Sequence, residues 1–302
     1  MDLKSKIILV SGPTASGKSN FSIQLAKKIN GEIINADSMQ VYKELNILTA
    51  RPNKNEHKNI KHHLYGFLSV KKDFSTGAWL KLIFQKIKEI KKRKKIPILV
   101  GGTGLYFKSL TDGLVKIPNI PKNFRNKIRQ HHKIIGQKTF YKKLVKLDPL
   151  SKNKIELTDV QRSIRAYEVK QFTKKSIFEW FKKTKSPYPK EVYFKIYIDY
   201  PRPELIEKIS DRVKKMIKLG AIQEVKNFLK LNIRQDKTSY KVIGIREIKD
   251  FIDKKSSSAE LIDKISIKTR QYAKRQATWA RGHMLDWQKI KPKDLNKFLK
   301  KI

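Results

Sequence analysis

The chain has 302 residues, and its 70 Lys and Arg against 27 Asp and Glu leave a formal charge of +43. Such a field attracts polyanions, although a Lys-rich composition would also spread charge over the surface without aim. Cys is absent, which excludes disulfides and Cys-ligated zinc.

The first segment, "MDLKSKIILVSG", has too short an apolar run for a secretory signal. The longest charge-free apolar stretch, Ile96 to Phe107, falls short of the roughly 20 residues that a membrane-spanning helix needs. A cytoplasmic, monomeric protein without a membrane segment is the expectation.

In chain order, "KIILVSG", "GEIINAD" and "IPILVGG" are short β-rich runs closed by Gly or Asp. Helical patterns lie between them: Phe21 to Ile29, then Trp79, Leu82, Ile83, Ile87 and Ile90 at spacings of three and four. Strands alternating with helices predict an α/β fold with a parallel sheet in a three-layer core.

That alternation stops near Ile117. Through Glu191 no strand pattern recurs, while Phe140, Tyr141, Leu144 and Val145 mark one apolar helical face and Val160, Ile164 and Tyr167 another. Residues 117–191 therefore read as a mainly helical insertion domain. Residues 1–116 and 192–302 form the core, resumed by the strand "VYFKIYIDY". The last third is helical, with Ile206, Ile209, Val213, Met216 and Ile217 on one face.

Between the first strand and helix stands "GPTASGKS", residues 12–19, which fits the G-x-x-x-x-G-K-[ST] phosphate-binding pattern in the context its mechanism requires. Gly12, Pro13, Thr14, Ala15, Ser16, Gly17, Lys18 and Ser19 are the candidate phosphate residues. Backbone N–H groups and the helix dipole converge on phosphate oxygens. Lys18 reaches the terminal phosphate and Ser19 is the candidate Mg²⁺ ligand.

A nucleoside triphosphate would be the default occupant, and a small kinase or ATPase the default protein. Yet "IPILV" ends in "GGTG", without the customary metal-associated Asp, and that turn suggests a second grip on phosphate. The nearby carboxylate is Asp37, in "EIINAD". Taken alone, Asp37 is equally a strand-end turn residue, a metal-shell ligand or a catalytic base.

Six segments together are more specific than the cradle. They are "GPTASGKS", "DSMQVY" (37–42), "HHL" (62–64), "LVGGTGLYF" (99–107), "DVQRSIRAYEV" (159–169) and "TRQYAKRQATWAR" (269–281). In these the chain resembles the tRNA dimethylallyltransferases, the IPP transferase family, almost end to end.

The resemblance implies a P-loop NTPase-like core. It also implies transfer of a dimethylallyl group from dimethylallyl diphosphate to the exocyclic amine of adenosine 37 in the tRNA anticodon loop. The cradle would then hold a diphosphate leaving group with Mg²⁺ as cofactor. Lys18, Thr103 and Arg212 would stabilise its charge, and Asp37 would be the general base. A free Asp, with a pKa near about 3.9, is a weak base, so position must supply its usefulness.

The same resemblance places Asp37, Ser38, Met39, Gln40, Thr103, Arg125, Gln161, Arg162, Ser163, Ile164, Arg165 and Arg246 against tRNA. Helical geometry at 100° per residue sets Arg270, Lys274 and Arg281 within about 40° of one another, a stripe that suits an RNA-facing helix or, equally, an ordinary amphipathic surface helix. Tyr272 and Trp279 lie opposite, as expected core anchors. Arg51 stands where the family usually has Lys, and "YGF" departs from the pattern after "HHL".

Three competing readings remain: a small-molecule P-loop kinase, an isopentenyltransferase acting on free adenine nucleotides, and a non-catalytic RNA-binding module. His62–His63 and His131–His132 lack metal-site spacing and are expected to be structural or surface residues.

Overall fold

The computed structural model describes every residue except Met1, Asp2 and Lys4, so the opening of the expected 1–116 segment lies partly outside the described residues. The chain begins with β1 (Ile7–Ser11), α1 (Lys18–Lys28), β2 (Gly31–Asn35) and β3 (His62–His63). It continues through α2 (Thr76–Lys92), β4 (Ile96–Gly101) and α3 (Gly104–Thr111). The insertion carries α4 (Lys122–Leu147), α5 (Val160–Thr173) and α6 (Ile177–Lys182). Then follow β5 (Tyr193–Ile198), α7 (Arg202–Lys218), α8 (Ala221–Lys230), α9 (Ile245–Ile252), α10 (Ser258–His283), β6 (Gln288–Ile290) and α11 (Leu295–Lys301).

All six strands form one parallel sheet in the order β3-β2-β4-β1-β5-β6. The unbroken apolar runs of β1 and β4 are explained by their burial on both faces, the rule for parallel strands covered by helices on each side. Ile8, Val10, Ile33, Ile98 and Val100 pack with Phe21, Leu25 and Ala26 of α1 and with Phe298 of α11. On the opposite face Trp79 of α2 stacks on Tyr106 of α3 at 4.1 Å between ring centres. Its indole N–H donates to the Asn35 carbonyl at 3.0 Å.

The two edge strands β3 and β6 escape the sequence reading because two or three residues cannot display an alternation.

Helices α7 to α10 build a second apolar cluster around Ile209, Val213, Phe228, Ile245, Ile248 and Ile265. Glu224 of α8 accepts hydrogen bonds from the backbone N–H groups of Asn46, Ile47 and Leu48 at 2.7, 2.8 and 2.9 Å. One carboxylate thereby orders the loop that walls the candidate site.

The insertion forms a compact unit, Asp112–Pro187, beginning and ending a few residues before the expected 117–191. Its core is Leu144, Ile155, Ala166, Val169 and Ile177, with Ile128, Phe140 and Ile164 alongside. Gly136, at φ 73 and ψ 165, breaks α4 in two, a conformation open to glycine because it has no Cβ. Buried Asp148 accepts from the hydroxyls of Ser151 and Ser176 at 3.1 and 2.8 Å, joining the loop after α4 to the start of α6.

Candidate active site

Register sets the position of the cradle. Ser11, the last residue of β1, lies beside Gly101 of β4 and Tyr197 of β5, so the phosphate loop emerges at the carboxyl edge of the sheet. The loop turns through Ala15 (φ 65) and Gly17 (φ 80) before α1 starts. Gly17 caps α1 without a side-chain hydrogen bond, leaving the first-turn N–H groups for an anion. Among the described residues the buried Ser16 hydroxyl has no partner. Lys18 Nζ lies 3.2 Å from the Pro13 carbonyl, folded over the loop it serves.

Lys18, Ser19, Asp37 and Arg212 meet in one cavity of about 230 Å³, with Leu48, Val213, Met216, Val242, Ile243 and Ile265 as its apolar wall. Burial pulls Lys18 down to about 8, against the attraction of Asp37, and the Arg212 charge adds to the depression. Burial likewise lowers Arg212, again opposed by Asp37. Two poorly hydrated cations share one carboxylate, a balance that a multivalent anion would complete. Beside this cavity opens a groove of about 860 Å³ edged by Lys58, Lys208, Lys214, Lys215 and Lys218.

Asp37 is braced from both sides. Asn35 Oδ1 accepts from the Asp37 N–H at 2.8 Å, while its amide donates to the carbonyls of Asp37 and Leu64, both at 3.0 Å. Asp37 Oδ1 accepts from the Met39 N–H at 2.9 Å; among the described residues Oδ2 has no partner and is available to a ligand.

Thr103, expected at the diphosphate and at tRNA, lies against the Asp37 loop. Its hydroxyl accepts from the Ser38 N–H at 2.9 Å and donates to Ser38 Oγ at 3.2 Å, while its own N–H points to the Ala36 carbonyl at 3.3 Å. The Gly-Gly-Thr turn thereby fastens the Asp37 loop. It lines a second cavity, of about 290 Å³, with Ser38, Tyr197, Trp279 and Met284. The two cavities share Met39, Tyr272 and Arg275, and the Asp37–Ser38 turn stands between them.

With that geometry in place, likeness to known proteins is decisive. The IPP transferase family model matches residues 40–283. The chain belongs to this family. It is 60% identical over 302 residues to a tRNA dimethylallyltransferase of Pelagibacter ubique (strain HTCC1062), covering 100% of this chain and 96% of that relative. A tRNA dimethylallyltransferase of Rickettsia massiliae (strain Mtu5) is 46% identical over 94% of this chain and 78% of its own length.

Among solved structures, a eukaryotic dimethylallyltransferase acting on tRNA matches with a TM-score of 0.84 and 29% identity, over 97% of this chain and 75% of that one. The tRNA isopentenylpyrophosphate transferase of Bacillus halodurans matches with a TM-score of 0.71 and 31% identity, over 98% and 95%. The core is accordingly of the P-loop-like type that this family uses.

Within this family frame, Gln276 of α10 is the residue that sequence reasoning missed. Its Oε1 accepts from the Thr14 N–H at 2.8 Å and its amide donates to the Gly102 carbonyl at 2.9 Å. One side chain thus joins the cradle to the Gly-Gly-Thr turn, and the Thr14 N–H is withdrawn from the expected phosphate donors. A Cβ on Gly102 would stand 2.1 Å from the Gln276 amide nitrogen, so glycine there is the condition for this docking. The quoted segment "TRQYAKRQATWAR" contains Gln276, but only the fold reveals which loop it faces.

Tyr272 and Trp279 are half-buried and line the site cavities, a correction to their expected role as core anchors. The core side of α10 is made instead by Leu261, Ile265, Ser266, Ala273 and Ala280.

Gln40, expected against RNA, donates its amide to the carbonyls of Thr49 and Ala50 at 3.0 and 3.2 Å and so holds the cavity wall. Arg51 binds the Tyr42 carbonyl at 2.8 Å and Asn46 Oδ1 at 3.0 Å. It lies where a Cβ on Gly66 would collide with it. The two departures, Arg51 and "YGF", thus fit each other.

The stripe of Arg270, Lys274 and Arg281 faces a different cavity, of about 670 Å³, with Tyr197, Tyr200 and Arg202. Arg246 is exposed on α9. In the insertion unit Gln161 and Arg162 are exposed, and Arg162 pairs with Asp159 at 3.3 Å. Ser163 and Ile164, also expected at RNA, have buried side chains. Ser163 accepts from Gln137 at 3.2 Å, and Ile164 packs beside Phe140. Arg125 and Arg165 contact Glu168 at 3.5 and 3.4 Å.

His63 pairs with Glu32 at 2.7 Å, and His62 stacks on His57 with 3.9 Å between ring centres. Among the described residues no group of three or more His, Asp or Glu could hold a metal ion. No helix among them is long and apolar enough to cross a membrane.

Proposed function

We propose that the protein transfers a dimethylallyl group from dimethylallyl diphosphate to the exocyclic amine of adenosine 37 in the tRNA anticodon loop, releasing pyrophosphate. The observation that carries this reading is Asp37 on the turn between two cavities, one phosphate-binding with an apolar wall, the other open around Ser38, Thr103 and Trp279. Curated relatives at 60% and 46% identity bear the name of this activity.

The diphosphate sits on the Gly12–Ser19 loop, facing Lys18 and Arg212. The five-carbon chain lies against Leu48, Val213, Met216, Val242 and Ile265. Burying such a chain contributes roughly 4 kcal/mol at about 0.8 kcal/mol per methylene-sized group. The adenine, swung out of the anticodon stack, enters from the Trp279 side.

The amine nitrogen forms the new bond to the allylic carbon as the carbon–oxygen bond breaks. The nitrogen lone pair makes that bond, the pair of the broken carbon–oxygen bond leaves with the diphosphate, and the amine proton passes to Asp37. Lys18 and Arg212 face the charge that develops on the bridging oxygen, the electrostatic part of catalysis.

The Ser19 hydroxyl, on the diphosphate cavity, would be a protein ligand for Mg²⁺, which binds through few protein oxygens plus waters and substrate phosphates. When bound it would add positive charge at the leaving diphosphate.

The deciding assay offers purified protein, labelled dimethylallyl diphosphate and Mg²⁺ with tRNA, AMP or no acceptor, and ATP in a parallel reaction. Label in tRNA alone is the expected outcome. Transfer to AMP with none to tRNA, or phosphate release from ATP, rejects the reading.

A further inference from the structure

Within the insertion unit, Glu168 of α5 is 1% exposed, yet it is a carboxylate. Three arginines surround it: Arg125 and Arg129, one turn apart on α4, and Arg165 on α5 itself. The contacts are Arg125 Nε at 3.5 Å, Arg129 Nε at 3.3 Å and Arg165 Nη1 at 3.4 Å. All three guanidiniums are about half exposed, at 42, 50 and 41%. Three positive charges on one negative leave this cluster at +2.

A strong arginine–carboxylate pair makes two short parallel N–H···O bonds. Here the nearest contacts are long, at 3.3–3.5 Å, and among the described residues Arg125 Nε makes no hydrogen bond, so no short paired bond consumes the guanidiniums. Glu168 thus gathers three half-exposed guanidiniums around one buried carboxylate. Held forks lose less rotamer freedom on binding a phosphate than free side chains would.

We propose that Arg125, Arg129 and Arg165, set by Glu168, form a single phosphate-binding site for the RNA backbone. Arg129 is then a direct contact and Glu168 a positioning residue. Arg125 and Arg165 were expected near RNA by resemblance; the joint site, Arg129 and the role of Glu168 come from the arrangement around the buried carboxylate. The proposal rests on tRNA being the acceptor.

The test is equilibrium binding of tRNA without donor, across a salt series, with steady-state transfer in parallel. Arg129→Ala should weaken binding about tenfold at moderate salt, the scale of one charged hydrogen-bonded contact. It should also reduce the log–log salt slope by about 0.7–0.9, one phosphate contact. Arg129→Lys should restore the slope but not the full affinity, since a lysine lacks the fork. Glu168→Gln keeps every positive charge, so its slope should stay while affinity drops several-fold and KM for tRNA rises at constant kcat.

An Arg129→Ala protein with wild-type affinity and slope overturns the site. Tighter tRNA binding by Glu168→Gln overturns the positioning role, because the carboxylate would then merely repel the backbone. Should Glu168→Gln fail to fold, Arg129→Ala still decides, as Arg129 is surface-exposed. A wild-type protein that binds no tRNA at all sinks the functional reading instead, so the two failures are separable.

Discussion

Raising the pH from 7 to 9 should weaken donor binding about tenfold through a single side chain, Lys18. Its ammonium is pulled down to about 8 by burial in the cavity, with Asp37 opposing and Arg212 reinforcing. At pH 7 about one molecule in ten would carry a neutral Lys18, and at pH 9 about nine in ten. A bound diphosphate favours the charged form and lifts this pKa back, so binding above pH 8 must draw in a proton.

Donor affinity should therefore fall about tenfold between pH 7 and pH 9, roughly 1.4 kcal/mol. The measurement is calorimetric titration with dimethylallyl diphosphate in two buffers of different ionisation enthalpy, which reads proton uptake directly. Lys18→Arg stays charged throughout and serves as the reference for ionisation of the ligand itself. Wild-type affinity that is flat to pH 9.5 with no proton taken up would refute the argument.

The same depression has an opposite sign for the empty protein. The unfolded chain binds a proton at Lys18 up to its ordinary pKa of 10.5, whereas the native one releases it near 8. The charged buried lysine thus costs stability below pH 8, and that penalty is relieved as pH rises from about 8 toward 10.5. Lys18→Met should melt higher than wild type at pH 7 while losing donor binding, the exchange of stability for function seen at many sites.

Asp37→Asn should bind donor normally and lose about 10²–10⁴ in turnover, the usual range for a general base; single-turnover rates with saturating tRNA decide it, and a wild-type rate would remove Asp37 from the chemistry. Gln276→Ala should cost about 1–3 kcal/mol in denaturant unfolding through its two hydrogen bonds, and raise KM for the donor because the Thr14 end of the cradle is released; unchanged unfolding would mean water replaces both bonds fully. Gly104→Ala places a Cβ 2.3 Å from the Trp279 ring. Displacing that ring should cost about 1–3 kcal/mol and raise KM for tRNA more than KM for donor; the reverse order in a two-substrate kinetic matrix would assign the second cavity to something other than adenine.

The sequence by itself determined the local devices of this protein. The spacing from Gly12 to Ser19 places a phosphate loop between a strand and a helix, because such a turn needs those residues in consecutive order. Unbroken runs such as "IILV" announce strands buried on both sides, and Phe140 with Leu144 marks a buried face of the insertion. Each is a short-range property, set by neighbours in the chain.

Tertiary structure alone decided the rest. Gln276 lies 262 residues from Thr14, and no local pattern says that one will hold the other. Thr103 carries a hydroxyl that could meet many partners, and only the packing of the turn after β4 against the Asp37 loop brings it to Ser38. Ser163 and Ile164 sit inside a segment that resembles an RNA contact, yet the rotation of α5 turns them inward and leaves Arg162 and Arg165 outward. A chain specifies which groups it owns; where they converge depends on contacts made between strands and helices far apart along it, which is where the burial of apolar surface decides the outcome.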